Sequence, residues 1–110
     1  MEIQVKASEK ACIISLAGKL DAISAPEYEK AVTQLITDGE TRLVIDFAEL
    51  SYVSSAGLRV ILSTVKQLKS KGGEAMFANL QDVVRDVFEM TGFTSILAVH
   101  PSVDAALAPL

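Results

Sequence analysis

One cysteine, one histidine and no tryptophan occur in this 110-residue sequence, and each scarcity removes a class of chemistry. Cys12 alone can close no internal disulfide and supply no cysteine metal cluster, and it sits in the apolar run Ala11 to Leu16, where a free thiol is usually a small buried hydrophobe. His100, without a Cys or a second His, makes a poor metal ligand or triad member and reads as a loop residue beside a helix start. No metal site is expected. The 10 basic residues nowhere cluster with aromatics, and 14 acidic residues leave a formal charge of -4, so direct nucleic-acid binding is not expected. Apolar runs all break well short of the roughly 20 residues of a membrane span. The opening MEIQVKASEK has no apolar core that could act as a signal peptide, so a cytoplasmic location without a membrane partner is expected by default. Phosphate-loop, dinucleotide, zinc-protease and nucleophile-elbow motifs are all absent, which indicates neither an enzyme nor a cofactor. Asp46, at the end of its strand, could approach Asp21. Two such acids are still a weak substitute for the carboxylate cluster a divalent cation needs, and both read as solvated.

What is present describes one folded domain over residues 1–110, with half the residues hydrophobic and 22% charged. The organising stretch is Leu43 to Leu68, LVIDFAELSYVSSAGLRVILSTVKQL. Val44, Ile45 and Phe47 form a β-prone run, a short loop follows, and Leu58, Ile61, Leu62, Val65 and Leu68 then recur at helical spacing. Ser54 and Ser55 stand in the first turn of that helix. A helix start offers unpaired N–H groups and a partial positive charge, which suit an oxygen or a phosphate. One serine is enough to cap it, so the second hydroxyl is surplus. On the plainest reading Ser54 caps, Ser55 is first-turn filler and Gly57 permits close packing.

Around this stretch the chain alternates strands and helices. Ile3 to Ala7 and Ala11 to Ala17 read as neighbouring strands, the second ended by Gly18. Ser24, with Pro26 and Glu27 behind it, has capping-box spacing and predicts a helix with Tyr28, Ala31, Val32, Leu35 and Ile36 on one face, stopped by Gly39. Lys66, Lys69 and Lys71 before Gly72-Gly73 close the central helix. Ala75 to Ala78 predicts a strand, and Leu80, Val83, Val84, Val87 and Phe88 an apolar helical stripe ended by Gly92. Ser95 to Val99 predicts a last strand, and Val103, Ala106 and Leu107 a short last helix. The order β-β-α-β-α-β-α-β-α predicts an α/β fold: a mostly parallel mixed sheet of about five strands with about four helices and one antiparallel pair at the start.

Three segments, GKLDAISAPEYEKAV, LVIDFAELSYVSSAGLRVIL and GGEAMFANLQDVVRDVFEMTGF with its continuation SILAV, resemble the anti-sigma factor antagonist family. Its members are single-domain proteins of the STAS fold, and the likeness covers essentially the whole chain. The resemblance implies a protein that is not an enzyme. In its unphosphorylated form it binds an anti-sigma factor that is also a serine kinase and so frees a sigma factor; phosphorylation abolishes the binding, and a serine phosphatase reverses it. The implied phosphorylation site is Ser55, two residues before Gly57, with Ser54 as the alternative, since the best-known pattern has Asp where this chain has Ser54. The implied contact surface takes in Asp21 to Ser24 and Ser54, Ser55, Gly57, Leu58 and Arg59. Tyr52 and Arg59 are candidate contacts beside the switch, or else a half-buried anchor and a solvated helix face. The alternative function is a STAS interaction module in another phosphorylation-controlled signalling route, without sigma control.

Overall fold

The computed structural model describes all 110 residues, Met1–Leu110. Five strands, β1 (Glu2–Ala7), β2 (Cys12–Leu20), β3 (Arg42–Val53), β4 (Glu74–Ala78) and β5 (Ala98–His100), lie in one sheet in the order β1-β2-β3-β4-β5. β1 runs antiparallel to β2, as two strands joined by a four-residue turn must, and every other pair is parallel. The connecting helices are α1 (Ala25–Thr37), α2 (Ser55–Ser70) and α3 (Asp82–Met90), and α4 (Val103–Leu107) follows β5. The expected order of elements and the mixed sheet are both present.

Side-chain alternation along β3 divides the core in two. Leu43, Ile45 and Phe47 point to the face covered by α1, α2 and α3, where they join Tyr28, Val32, Ile36, Ile61, Leu68 and Val84 in one buried cluster. Phe47, Phe77 and Phe88 form its aromatic centre, with ring centroids 5.6, 6.1 and 6.3 Å apart and tilted or edge-on geometry. Val44 points the other way, into a smaller cluster with Met76, Ala78 and Ala106 that α4 alone covers. A five-residue helix cannot span five strands. Beside it Gln4 is exposed and Ser15 and Asp46 are half-buried. The buried polar pair Tyr28 and Thr64 links α1 to α2 by a 3.0 Å hydrogen bond, and Thr64 donates onward to the carbonyl of Ile61 at 2.8 Å.

Several boundaries differ from the sequence expectation. β2 does not end at Gly18. That residue turns through φ +107° beside Met1, and the strand resumes as Lys19 and Leu20 pair with Tyr52 and Val53 across a register shift. No loop separates β3 from α2, because the same pairing keeps the chain extended as far as Val53. Ser95 belongs to a 3-10 turn, Phe93–Ser95, and β5 shrinks to the three residues that β4 can pair. His100 therefore closes a strand rather than lying in a loop. Val83 is 56% exposed, outside the buried stripe of α3. Asp46 lies inside β3, level with Ser15, where its Oδ1 accepts from the Ala48 N–H at 3.0 Å and the Asn79 amide at 3.1 Å. Asp21 is six residues beyond Ser15, roughly 20 Å along the strand, so these two acids form no site.

Candidate functional site

Ser54 and Ser55 are adjacent in sequence and divide two tasks in space. Ser54 has extended backbone, φ -95° and ψ 175°, and its Oγ accepts the Gly57 N–H at 3.2 Å, which makes it the cap of α2. Its own N–H donates to the Leu20 carbonyl at 2.9 Å and ties the helix start to the end of β2. Gly57 completes this joint. A Cβ built there would stand 2.5 Å from the Leu20 carbonyl oxygen and 2.9 Å from Val53 Cγ2, so only hydrogen fits. Ser55, the first helical residue, is exposed, and its hydroxyl has no hydrogen-bond partner within the chain. The surplus hydroxyl is thus the free one.

Directly after Leu20 the chain makes a tight turn laced by its own polar groups. Asp21 Oδ1 accepts the N–H groups of Ile23 at 3.0 Å and Ser24 at 3.1 Å. These bonds, the one from Ser24 above all, hold the Asp21 carboxyl below its ordinary range against a smaller opposing effect of burial, with lesser help from the Ser24 hydroxyl and Lys19. The expected capping box is absent. Ser24 precedes α1, but its Oγ donates to the Lys19 carbonyl at 2.7 Å and accepts the Asp21 N–H at 3.0 Å, leaving no cap bond to the helix. The hydroxyl folds back because the turn leaves Lys19 and Asp21 with backbone groups that need partners.

The strand ends bring these two segments side by side, since Leu20 pairs with Val53 and bonds Ser54. Tyr52 is 44% exposed at the end of β3, opposite Lys19, and Arg59 is exposed one turn after Ser55 on α2. Of the residues expected at the contact surface, Asp21 is half-buried, while Ser24, Gly57 and Leu58 are buried. These last three form the underside of the surface and present no side chain to a partner. Ile23 lies within the expected Asp21 to Ser24 segment, but its exposure was not anticipated. At 90% exposure it is the most exposed large hydrophobic residue in the chain, held out by the Asp21 turn. An apolar residue in the sequence DAIS just before a helix could have signalled it, although that position more often packs inward as a staple. A polar turn with an apolar tip, joined through Leu20 to a helix start that carries a free hydroxyl, makes a surface suited to a protein partner. No helix is long and apolar enough to cross a membrane.

Residues 2–106 match the STAS domain, and the chain belongs to that family. Within it the chain stands with the anti-sigma factor antagonists. It is 42% identical over 96 residues to BtrV of Bordetella bronchiseptica, a protein named as an anti-sigma factor antagonist, covering 87% of this chain and 83% of BtrV. Two solved structures share the fold. An anti-sigma factor antagonist from Mycobacterium paratuberculosis superposes with TM-score 0.90 at 24% identity, covering 98% of this chain and 92% of the other. The Bacillus cell fate determinant SpoIIAA in its phosphorylated form gives TM-score 0.76 at 21% identity, covering 99% of this chain and all of that one.

Proposed function

We propose that this chain is a phosphorylation-controlled anti-sigma factor antagonist acting in the cytoplasm. Unphosphorylated, it binds an anti-sigma factor that is also a serine kinase, so that a sigma factor is released; phosphate on Ser55 ends the binding, and a serine phosphatase restores it. The reading rests on the division of labour at the start of α2, where Ser54 is committed to the cap and the Ser55 hydroxyl is exposed and unpartnered. Kinship with proteins named as anti-sigma factor antagonists supports it.

The chemistry needs no large rearrangement. A phosphate adds about -1.5 to -2 charge and three strong acceptors, which the positive end of the helix accommodates without melting. A partner presenting a carboxylate does not accommodate it. Two unit charges at about 4 Å interact by about 4 kcal/mol at a surface-like dielectric, and each 1.4 kcal/mol is roughly tenfold in affinity. Half of that repulsion lowers binding more than tenfold. Incubation with the cognate kinase and ATP, followed by mass mapping, is expected to place phosphate on Ser55; phosphate on Ser54 or on neither serine defeats the assignment. Ser55→Asp is expected to weaken partner binding with little change in melting temperature. Co-purification of a bound partner that is not an anti-sigma factor would favour an interaction module in another signalling route.

A further inference from the structure

The sheet has one long edge open to another strand, and the use proposed for Ser55 does not involve it. β1 is terminal in the strand order, and the opposite edge, β5, offers only three residues. β1 has six residues, contains no proline, and keeps an unbroken register with β2 from Glu2↔Ala17 to Ala7↔Cys12, so no bulge twists it away. Its outer side carries the unpaired N–H and C=O groups of any edge strand, a template for another strand. A lysine such as Lys6 is the usual guard against that pairing. Here the guard can be cancelled, because Glu2 stands four residues before it.

We propose that β1 pairs with β1 of a second copy of this chain, antiparallel about a two-fold axis through Gln4, to form a continuous ten-stranded sheet. Only this register satisfies both charges. Glu2 meets Lys6 of the second copy and Lys6 meets its Glu2, whereas parallel pairing would set Glu2 against Glu2 and Lys6 against Lys6, and an antiparallel register shifted by two residues leaves neither charge matched. Glu2 also lines an open hollow of about 240 Å³ whose inner wall, two strands away on β3, carries Asp46 and Glu49, so the field at the incoming lysine is negative. On the other face of the strand, Ile3 and Val5 share the side of Leu16 and Ile14. Val5 is 51% exposed and Ile3 half-buried, and the same register lays each against the other in the second copy. The two-fold axis reverses strand direction, which leaves both Ser55 surfaces free and facing opposite ways. Two six-residue strands bury less than a standard interface, so the dimer is weak and concentration-dependent.

Sedimentation velocity of the full chain over a concentration series tests this. Lys6→Glu or Glu2→Lys alone places like charges opposite each other twice per dimer and is expected to weaken association about tenfold or more, while the double variant recovers to within about threefold of native. Gln4→Cys should form a disulfide-linked dimer on mild oxidation, because directly opposed residues lie within the about 4.4–6.8 Å Cα range of a disulfide. The exposed control Met90→Cys should not, and the native Cys12 is buried and does not compete. A chain that stays monomeric at the highest attainable concentration overturns the proposal. So does a dimer indifferent to the single swaps, failure of the double swap to recover, or linking of Gln4→Cys no faster than of Met90→Cys.

Discussion

Gly57→Ala probes the joint on which the candidate surface is built. The added methyl would stand 2.5 Å from the Leu20 carbonyl oxygen, 2.9 Å from Val53 Cγ2 and 3.0 Å from Leu20 Cγ. Two of these neighbours are side chains of buried residues and the third is backbone, so none can swing aside alone. Overpacking of this kind costs about 1–3 kcal/mol. The oxygen that must retreat is also the acceptor for the Ser54 N–H, and losing that bond adds about 1 kcal/mol. Alanine's better helix propensity returns at most about 1 kcal/mol. The net loss is about 2 kcal/mol, and a domain of this size should melt roughly 10 °C lower. Because the strain falls between Leu20 and Ser54, the Asp21 turn should shift against α2, and affinity for the partner should drop together with stability. Thermal melts by circular dichroism and titration calorimetry with the partner measure the two effects. A midpoint within about 2 °C of native together with unchanged affinity would refute the account of the joint.

The other expectations are simpler. Ser54→Ala should cost about 1–2 kcal/mol in urea unfolding, toward the upper end because the orphaned N–H belongs to buried Gly57, whereas Ser55→Ala should stay within about 0.5 kcal/mol of native. Equal losses would mean that the cap is misassigned. Burial pushes the Tyr28 hydroxyl up to about 12 against the lowering effect of its bond to Thr64. In the unfolded chain tyrosine ionises near pH 10, so the contribution of the protonated hydroxyl is complete below pH 10 and lost as pH rises toward 12, by at most about 3 kcal/mol. Tyr28→Phe should flatten that alkaline loss, and a variant as alkali-sensitive as native would sink the explanation. Phe88→Ala removes one ring of the aromatic centre and should cost about 3–5 kcal/mol by denaturant titration.

Much of the fold could be read in the sequence because two periodicities carry it. Val44, Ile45 and Phe47 announce a strand, and Leu58, Ile61, Leu62, Val65 and Leu68 a helix, and all are buried except Leu62, which is half-buried at the edge of its stripe. Ends were less legible, since a partner strand sets them. Gly18 reads locally as a stop, yet pairing of Lys19 and Leu20 with β3 carries the strand past it. Ser24 misled for a related reason. Its spacing to Glu27 is that of a capping box, but its hydroxyl bonds the backbone groups of Lys19 and Asp21 and makes no bond to the helix N–H groups. The serine pair was visible as a surplus at a helix start with Ser54 as the cap, although only geometry could show that the Ser55 hydroxyl is exposed and free. The exposure of Ile23 was invisible because hydropathy predicts burial, and a turn held by Asp21 holds it out instead.

The nearness of Met1 to Gly18 carries a practical lesson. The Cα of Met1 lies 3.7 Å from where a side chain on Gly18 would begin, two residues short of Leu20. A purification tag joined to the amino terminus would emerge there, flanking both the Asp21 turn and the outer strand, and could obstruct either kind of assembly. Fusion at the carboxyl end leaves from behind α4, on the opposite side of the sheet from α1 and α2, and is the attachment to choose for binding measurements.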